Sequence, residues 1–295
     1  MPASGCFGPE LAGIIDLNGL GALAPKTIFF NPRAGNPAPR IAETPAGMLN
    51  SIGIPGKGVE YYLSSILPQY TAFGGVPTIV SIGGLAVHEY FELADRLDGE
   101  KGIAGLEINI SCPNLEAGGL EIGADPRTVE EVVRGVTDRF HGPVIAKLTP
   151  NVTSIAEIAR ASEGGGATAV SAINTFSGMV IDVHARKPVS GTTTGGISGP
   201  AIRPMAVRMV WQVANAVDLP VIGMGGISNA NDALEFFLAG ATAVAVGTAN
   251  FTHPTTMTEI ISDLEIYLEE NEIGNISELT GALEAGALVI TEPSR

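Results

Sequence analysis

Cysteine is nearly absent from this chain. Two occur, Cys6 and Cys112, too few for a disulfide framework and without metal-ligand spacing; a reducing, cytoplasmic setting is the natural reading. Positive charge is scarce as well. Lys+Arg 16 against Asp+Glu 31 leaves a net charge of −15, and so acidic a surface repels phosphate backbones and anionic lipid. Nucleic-acid and membrane-surface binding are therefore disfavoured, and an anionic ligand must be held by a few local cations or by backbone N–H groups. No uninterrupted apolar run approaches the ~18 residues of a membrane span, and no charged segment followed by an apolar one opens the chain. Histidine forms no cluster: His88, His141, His184 and His253 share no spacing and read as surface residues.

Glycine is plentiful, at 38 residues in a chain that is 45% hydrophobic. The length of 295 residues suits a single α/β barrel, whose tight strand-to-helix turns consume glycine. A chain of this size buries roughly three quarters of its unfolded surface and needs no disulfide or metal staple. The spacing predicts strands at 21–29, 77–82, 105–110, 144–148, 169–174, 220–224 and 243–247, separated by amphipathic helices at 87–97, 126–140, 154–162, 200–216 and 229–239. Such alternation reads as βα units around a parallel sheet, a (β/α)8 barrel. Pro126 and Pro200 sit where the first turn of a helix tolerates proline. Gly166-Ala167-Thr168-Ala169-Val170 and Gly240-Ala241-Thr242-Ala243-Val244 echo one another as helix-to-strand joints. With no low-complexity linker and no break in composition, residues 1–295 read as one domain, and 255–288 as two outer helices, one ending near Gly274. Seven predicted strands are one short of a ring of eight: a first strand should precede Pro2-Ala3-Ser4-Gly5, where the sequence begins.

Barrel enzymes assemble their sites at the C-terminal ends of the strands, and polar residues gather there. Asn109-Ile110-Ser111-Cys112-Pro113-Asn114 ends one predicted strand, Lys147 lies in the next, and Asn174-Thr175 ends a third; Gly225-Gly226 and Gly247-Thr248 follow the last two. One polar tip says only that a strand reaches solvent. Five in succession, with amides and a lysine inside apolar runs, point to a site. The glycine pairs leave backbone N–H groups open to an anion, as late barrel loops do for phosphate, and Gly195-Gly196-Ile197-Ser198-Gly199-Pro200 opens a helix with more donors. Each pair alone is ordinary loop glycine; together they point to a phosphorylated cofactor. Most cysteines are buried and inert, and Cys6 reads so. Cys112 stands between Asn109 and Asn114 on a proline-containing loop, where a thiolate can take a proton or attack carbon. No histidine lies beside it in sequence, which favours a base over a hydrolytic nucleophile.

At this point a family resemblance emerges. Asn109-Ile110-Ser111-Cys112-Pro113-Asn114 resembles the catalytic loop of the dihydroorotate dehydrogenases. Pro2-Ala3-Ser4-Gly5-Cys6-Phe7-Gly8, Asn36-Pro37-Ala38-Pro39-Arg40, Met48-Leu49-Asn50-Ser51-Ile52-Gly53, Lys147-Leu148-Thr149-Pro150-Asn151, Ile197-Ser198-Gly199-Pro200 and Val246-Gly247-Thr248-Ala249-Asn250-Phe251 fall in the family's order along nearly the whole chain. The resemblance implies oxidation of dihydroorotate to orotate in pyrimidine biosynthesis, with Cys112 as the base at carbon 5 and hydride transfer from carbon 6 to FMN. It implies substrate contacts from Lys26, Asn50, Asn109, Asn114, Asn174 and Thr175, with the backbone of Gly53 and Ile54 near the carboxylate. FMN contacts fall to Ala3, Ser4, Lys26, Thr27, Asn109, Lys147, Ile173, Ser198, Gly199, Gly225, Gly226, Gly247 and Thr248. No metal is implied in this chain. Cysteine rather than serine at position 112 resembles the soluble branch. Ser4-Gly5-Cys6-Phe7-Gly8, the run from Arg186-Lys187-Pro188-Val189 to Pro200-Ala201-Ile202, and Gly247-Thr248-Ala249-Asn250-Phe251 are similar to its NAD-linked kind. That kind implies a homodimer joined by an electron-transfer subunit carrying FAD and an iron–sulfur cluster.

Two departures stand against the family pattern. The hairpin and first strand that usually precede Pro2-Ala3-Ser4-Gly5 are missing, and the expectation is a start roughly twenty codons upstream or a truncation; without them a closed barrel has two open edges and an incomplete floor. Pro55-Gly56-Lys57-Gly58 stands where the NAD-linked kind carries Gln-Asn-Pro-Gly. The alternatives are a fumarate-linked homodimer, a related flavin barrel acting on other dihydropyrimidines, a non-redox lyase or isomerase using Lys147 on a phosphorylated substrate, and a non-catalytic relative.

Overall fold

The computed structural model describes residues 1–111, 113–114 and 120–284, with positions 113, 114, 120 and 121 described by their backbone. In chain order the strands are β1 Ile41–Thr44, β2 Gly47–Asn50, β3 Ile79–Ile82, β4 Gly105–Asn109, β5 Pro113–Asn114, β6 Leu120–Glu121, β7 Val144–Leu148, β8 Ala169–Ala172, β9 Phe176–Gly178, β10 Ile181–Asp182, β11 Lys187–Pro188, β12 Gly195–Ser198, β13 Val221–Met224 and β14 Ala243–Ala245. The helices are α1 Val59–Tyr61, α2 Leu67–Thr71, α3 Val87–Leu97, α4 Pro126–Thr137, α5 Ile155–Gly164, α6 Arg203–Ala214, α7 Ala230–Leu238, α8 Ala249–Thr252 and α9 Thr256–Glu270. Six strands form one sheet in the order β14-β13-β8-β7-β4-β3, every neighbour parallel. Parallel strands covered on both faces read as continuous apolar runs, which is why these were visible in the sequence.

Alternation along each strand divides the core in two. Outward residues such as Val80, Ile82, Leu106, Ile108, Ala146, Leu148 and Val170 pack against the apolar faces of α3 to α7, represented by Leu93, Val132, Ile158, Val210 and Phe236. Inward residues Ile145, Ile222, Met224 and Ala245 form a second, smaller cluster with Ala3. Helices begin where side chains cap them. Asp125, Ser154 and Asn229 each accept from a backbone N–H in the first turn of α4, α5 and α7. Pro126 opens α4; Pro200 opens a 3-10 turn, Pro200–Ile202, that leads into α6.

The ends of this sheet meet. On the β14 edge, Ala3 N–H donates to Val246 O at 2.8 Å and Val246 N–H to Met1 O at 3.0 Å. On the β3 edge, Leu23 and Ile28 form parallel bridges to Thr78 and Ile82. Ser4 Oγ then donates to Pro25 O at 2.9 Å, joining the two edges. Where two open edges were expected, Met1–Ala3 takes the position beside β14, and one side-chain bond links it to the segment beside β3 at the C-terminal end of the strands. The expected strand 21–29 is reduced to its two bridges, because Pro25 has no N–H to give a ladder. The chain after residue 255 is also corrected. Among the described residues it forms α9, which ends at Glu270, and a short 3-10 turn, Ile276–Leu279, where the start of a second helix was expected.

Above the barrel lies an antiparallel sheet that the spacing did not predict, in the order β1-β2-β12-β9. β10 and β11 pair as a separate hairpin arm. No helix among the described residues is long and apolar enough to cross a membrane.

Candidate active site

The register aligns Asn109, Lys147 and Ser171 across β4, β7 and β8, so three polar side chains from neighbouring strands share the inner face near its C-terminal end. There the barrel opens into a cavity of about 540 Å³, within the roughly 300–1,000 Å³ of small-molecule sites. Its roof is the antiparallel sheet. Asn50 pairs in register with Gly196 and donates from Nδ2 to Gly196 O at 3.4 Å.

A lattice of neutral groups crosses the floor. Asn109, 7% exposed, donates from Nδ2 to Thr27 Oγ1 at 3.3 Å and accepts at Oδ1 from Asn174 Nδ2 at 3.1 Å and Ser111 N–H at 3.3 Å. Asn174 Nδ2 also donates to Ser111 Oγ at 2.9 Å, and its Oδ1 accepts from Thr175 N–H at 2.8 Å. Thr27 Oγ1 continues the lattice to Ser81 Oγ at 2.9 Å and Ser4 Oγ at 3.5 Å. Among the described residues this leaves one N–H of Asn109 and one lone pair of Asn174 uncommitted. A fixed donor beside a fixed acceptor matches a ligand edge that alternates C=O and N–H.

Two cations reach the cavity. Burial holds the Lys26 ammonium below the ordinary lysine range, and the like charge of Arg40 adds to the effect; a bound anion would offset both. Lys147, 6% exposed, donates to Glu107 at 3.3 Å. Cys6 also lines the cavity, and burial first of all pushes its thiol up to about 11, so it forms a neutral piece of wall.

The far end is built of glycine. Gly225 and Gly226 have φ of +131° and +82°, in the left-handed region that side chains avoid. A Cβ on Gly226 would meet Gly199 O at 2.8 Å, whereas one on Gly247 would meet nothing nearer than Ala3 Cβ at 3.7 Å and would fill the cradle itself. Thr248 Oγ1 donates to Ser198 Oγ at 2.8 Å across this end. A glycine-lined anion seat, an apolar wall of Ala3, Ile173 and Met224, and a lysine beside amides suit a phosphorylated, flat, heteroaromatic group such as FMN.

Comparison with known proteins decides the family. The family described as dihydroorotate dehydrogenase matches residues 1–268. The chain belongs to it. Its relatives include proteins named dihydroorotate dehydrogenase B (NAD(+)), catalytic subunit, from Desulforudis audaxviator, 58% identical over 94% of this chain and 90% of that protein. Those from Desulforamulus reducens and Citrifermentans bemidjiense are 56% and 51% identical, over 95% and 96% of this chain and 92% and 93% of theirs.

Within this dihydroorotate dehydrogenase fold the expected residues converge on one place. Ala3, Ser4, Lys26, Thr27, Asn50, Ile54, Asn109, Lys147, Ile173, Asn174, Thr175, Ser198, Gly225, Gly247 and Thr248 line the cavity. Gly53, Gly199 and Gly226 are chain neighbours of lining residues and take left-handed turn conformations, with φ of +73°, +99° and +82°. Cys112 lies outside the described residues. Asn114 is described by its backbone, which pairs with Leu120. The departing loop at Pro55-Gly56 is held by backbone bonds in both directions between Gly56 and Arg33, at 2.8 and 3.0 Å, a tie that no side chain at these positions controls. Sequence reasoning missed Ile41, Ser111, Asn151, Ser177, Thr194 and Phe251 as lining residues. Ser111, Asn151 and Phe251 lay inside motifs already singled out; Ile41, Ser177 and Thr194 carry no local signal, because the roof sheet and the segments beside its strands bring them in from distant parts of the chain.

Proposed function

We propose that this chain oxidises dihydroorotate to orotate in pyrimidine biosynthesis, as the FMN-bearing catalytic subunit of an NAD-linked enzyme, with residues 1–295 as one flavin-binding domain. The observation that carries the reading is identity of 58% along 94% of the chain to a protein of that name. The donor–acceptor edge of Asn109 and Asn174 supports it, since the imide-like edge of an orotate ring alternates the same groups. Asn50, Asn109, Asn114, Asn174 and Thr175 hold the ring, with the backbone of Gly53 and Ile54 near the carboxylate and Lys26 supplying charge to it. Ser198, Gly199, Gly225, Gly226, Gly247 and Thr248 hold the phosphate of FMN, while Ala3, Ser4, Thr27 and Ile173 form its wall and Lys147 meets its ring.

FMN, when bound, accepts the hydride that leaves carbon 6 of the substrate. Cys112 takes the proton from carbon 5 onto Sγ as the ring double bond forms, which leaves neither a charge nor a proton unaccounted for. An ordinary thiol with a pKa of about 8.5 makes this step faster as pH rises. A partner subunit carrying FAD and an iron–sulfur cluster would supply the route for the electrons to NAD. The chain self-associates as a homodimer, for which the arm offers exposed Met179, Ile181 and Val183.

The test is anaerobic mixing of the FMN-loaded protein with dihydroorotate. The flavin absorbance bleaches in the wild type. Cys112→Ala keeps the flavin and loses at least about a hundredfold in bleaching rate, the usual scale of a general base. A Cys112→Ala variant that bleaches at the wild-type rate refutes the base.

A further inference from the structure

Beneath the cavity wall lies a carboxylate that touches neither the cavity nor a helix end. Glu107 sits one inward position below Asn109 on β4, 3% exposed. Its Oε1 accepts from Lys147 Nζ at 3.3 Å on β7, and its Oε2 accepts from Ser171 Oγ at 3.1 Å on β8. Ser171 is fully buried. Three adjacent strands thus contribute one chain of contacts, Ser171 to Glu107 to Lys147, that ends at the cavity. The side chains around it are the apolar inward cluster with Ile145 and Met224. The titratable group that faces this pair from the N-terminal segment is Cys6, a neutral thiol; Lys26, the other cation of the cavity, faces Arg40 instead.

A buried ammonium persists only against an opposite charge, and losing one partner of such a pair strands the other. We infer that Glu107 is a positioning residue for the flavin: held by Ser171, it keeps the Lys147 side chain fixed at the cavity wall, and through Lys147 it sets the electron affinity of the bound ring. The inference rests on the FMN reading above. Glu107 acts through Lys147 alone, because its own oxygens are committed to Ser171 and Lys147 and it does not line the cavity.

The ordering has a physical consequence. Reduction places negative charge on the ring, and a fixed cation beside it favours that state in a site from which water is excluded. With Glu107→Gln, Lys147 loses the carboxylate that fixes it beside the ring. Reduction then becomes harder.

The test is the FMN midpoint potential, measured by equilibration with reference dyes between pH 6 and 9, on the purified, flavin-loaded protein. Glu107→Gln is expected to lower the potential across this range. In a Lys147→Met background the same substitution is expected to change nothing. Ser171→Ala keeps both charges but frees the carboxylate, and is expected to give a smaller change in the same direction. A Glu107→Gln protein with the wild-type potential overturns the inference, as does a shift upward or one that persists without Lys147. If Glu107→Gln does not fold, Ser171→Ala decides, and a wild-type potential there overturns it. Failure of the wild-type protein to bind FMN removes the flavin reading, and this inference with it; a wild type that binds FMN while the variants leave the potential unmoved removes this inference alone.

Discussion

Along the barrel wall, β4 and β7 bury all five of their residues each. In the roof, β12 buries none of its four, and β1 alternates between half-buried and exposed. Both regions line one cavity, yet they hold their shape differently. The wall is a packed interior in which each apolar side chain touches helix on one side or barrel core on the other. The roof depends on backbone bonds and on close approaches that only glycine permits: a Cβ on Gly195 would meet Asn50 O at 2.6 Å, and one on Gly196 would meet Thr175 Oγ1 at 2.2 Å. Stability therefore resides mainly in the wall, and ligand contact is divided between the two.

The sharpest test of that division is a cavity in the wall. Leu106→Ala removes a fully buried side chain and is expected to destabilise the protein by about 2–5 kcal/mol, read from urea unfolding of the flavin-free protein. A loss under about 1 kcal/mol would mean that the wall is not the stabilising element.

Next in size comes a matched pair of amides. Asn109→Ala breaks a buried lattice and leaves Thr27, Ser111 and Asn174 short of partners; it is expected to cost roughly 1–3 kcal/mol of stability as well as orotate affinity. Asn50→Ala removes one long bond in the roof and is expected to weaken orotate binding by about tenfold, ~1.4 kcal/mol, with the unfolding midpoint unchanged. Calorimetric titration and urea unfolding of both variants check this. Equal losses of stability would erase the distinction between wall and roof.

The smallest effect lies outside both regions, at the N-terminus of α4. The hydroxyl of Thr128 above all, and then its N–H, hold the Asp125 carboxyl below the ordinary aspartate range. A carboxyl depressed in the folded state adds stability above its unfolded pKa of about 3.9 and loses it as pH falls through the folded value. Asp125→Ala is thus expected to cost about 1 kcal/mol at pH 7, a difference that shrinks in acid unfolding below about pH 4.

The same contrast explains what could be read in the sequence. Strand β7 was predicted to the residue, 144–148, because it is buried on both faces and apolar apart from Lys147. Helix α3 was likewise exact at 87–97, since its buried face repeats at the helical period. The roof strands were not predicted. Gly195-Gly196-Ile197-Ser198 has neither alternation nor β-branched density, and its strand character arises from pairing with residues about 150 positions earlier in the chain. The candidate site divides in the same way. Asn109, Lys147 and Asn174 stood out as polar interruptions of apolar strands, whereas Ile41 and Phe251 read as ordinary exposed apolar residues and reach the cavity mouth only through the fold.

By itself the sequence determined the parallel sheet, the helices around it and the family, because these depend on short-range periodicity and on motifs that remain in order along the chain. The tertiary structure alone decided how the ring closes through Ser4 and Pro25, which amide edges stay uncommitted, and that Glu107 meets Lys147 inside the barrel. Those facts depend on contacts between residues 21 to 82 positions apart in the chain, and no local pattern encodes a distance between residues that only folding brings together.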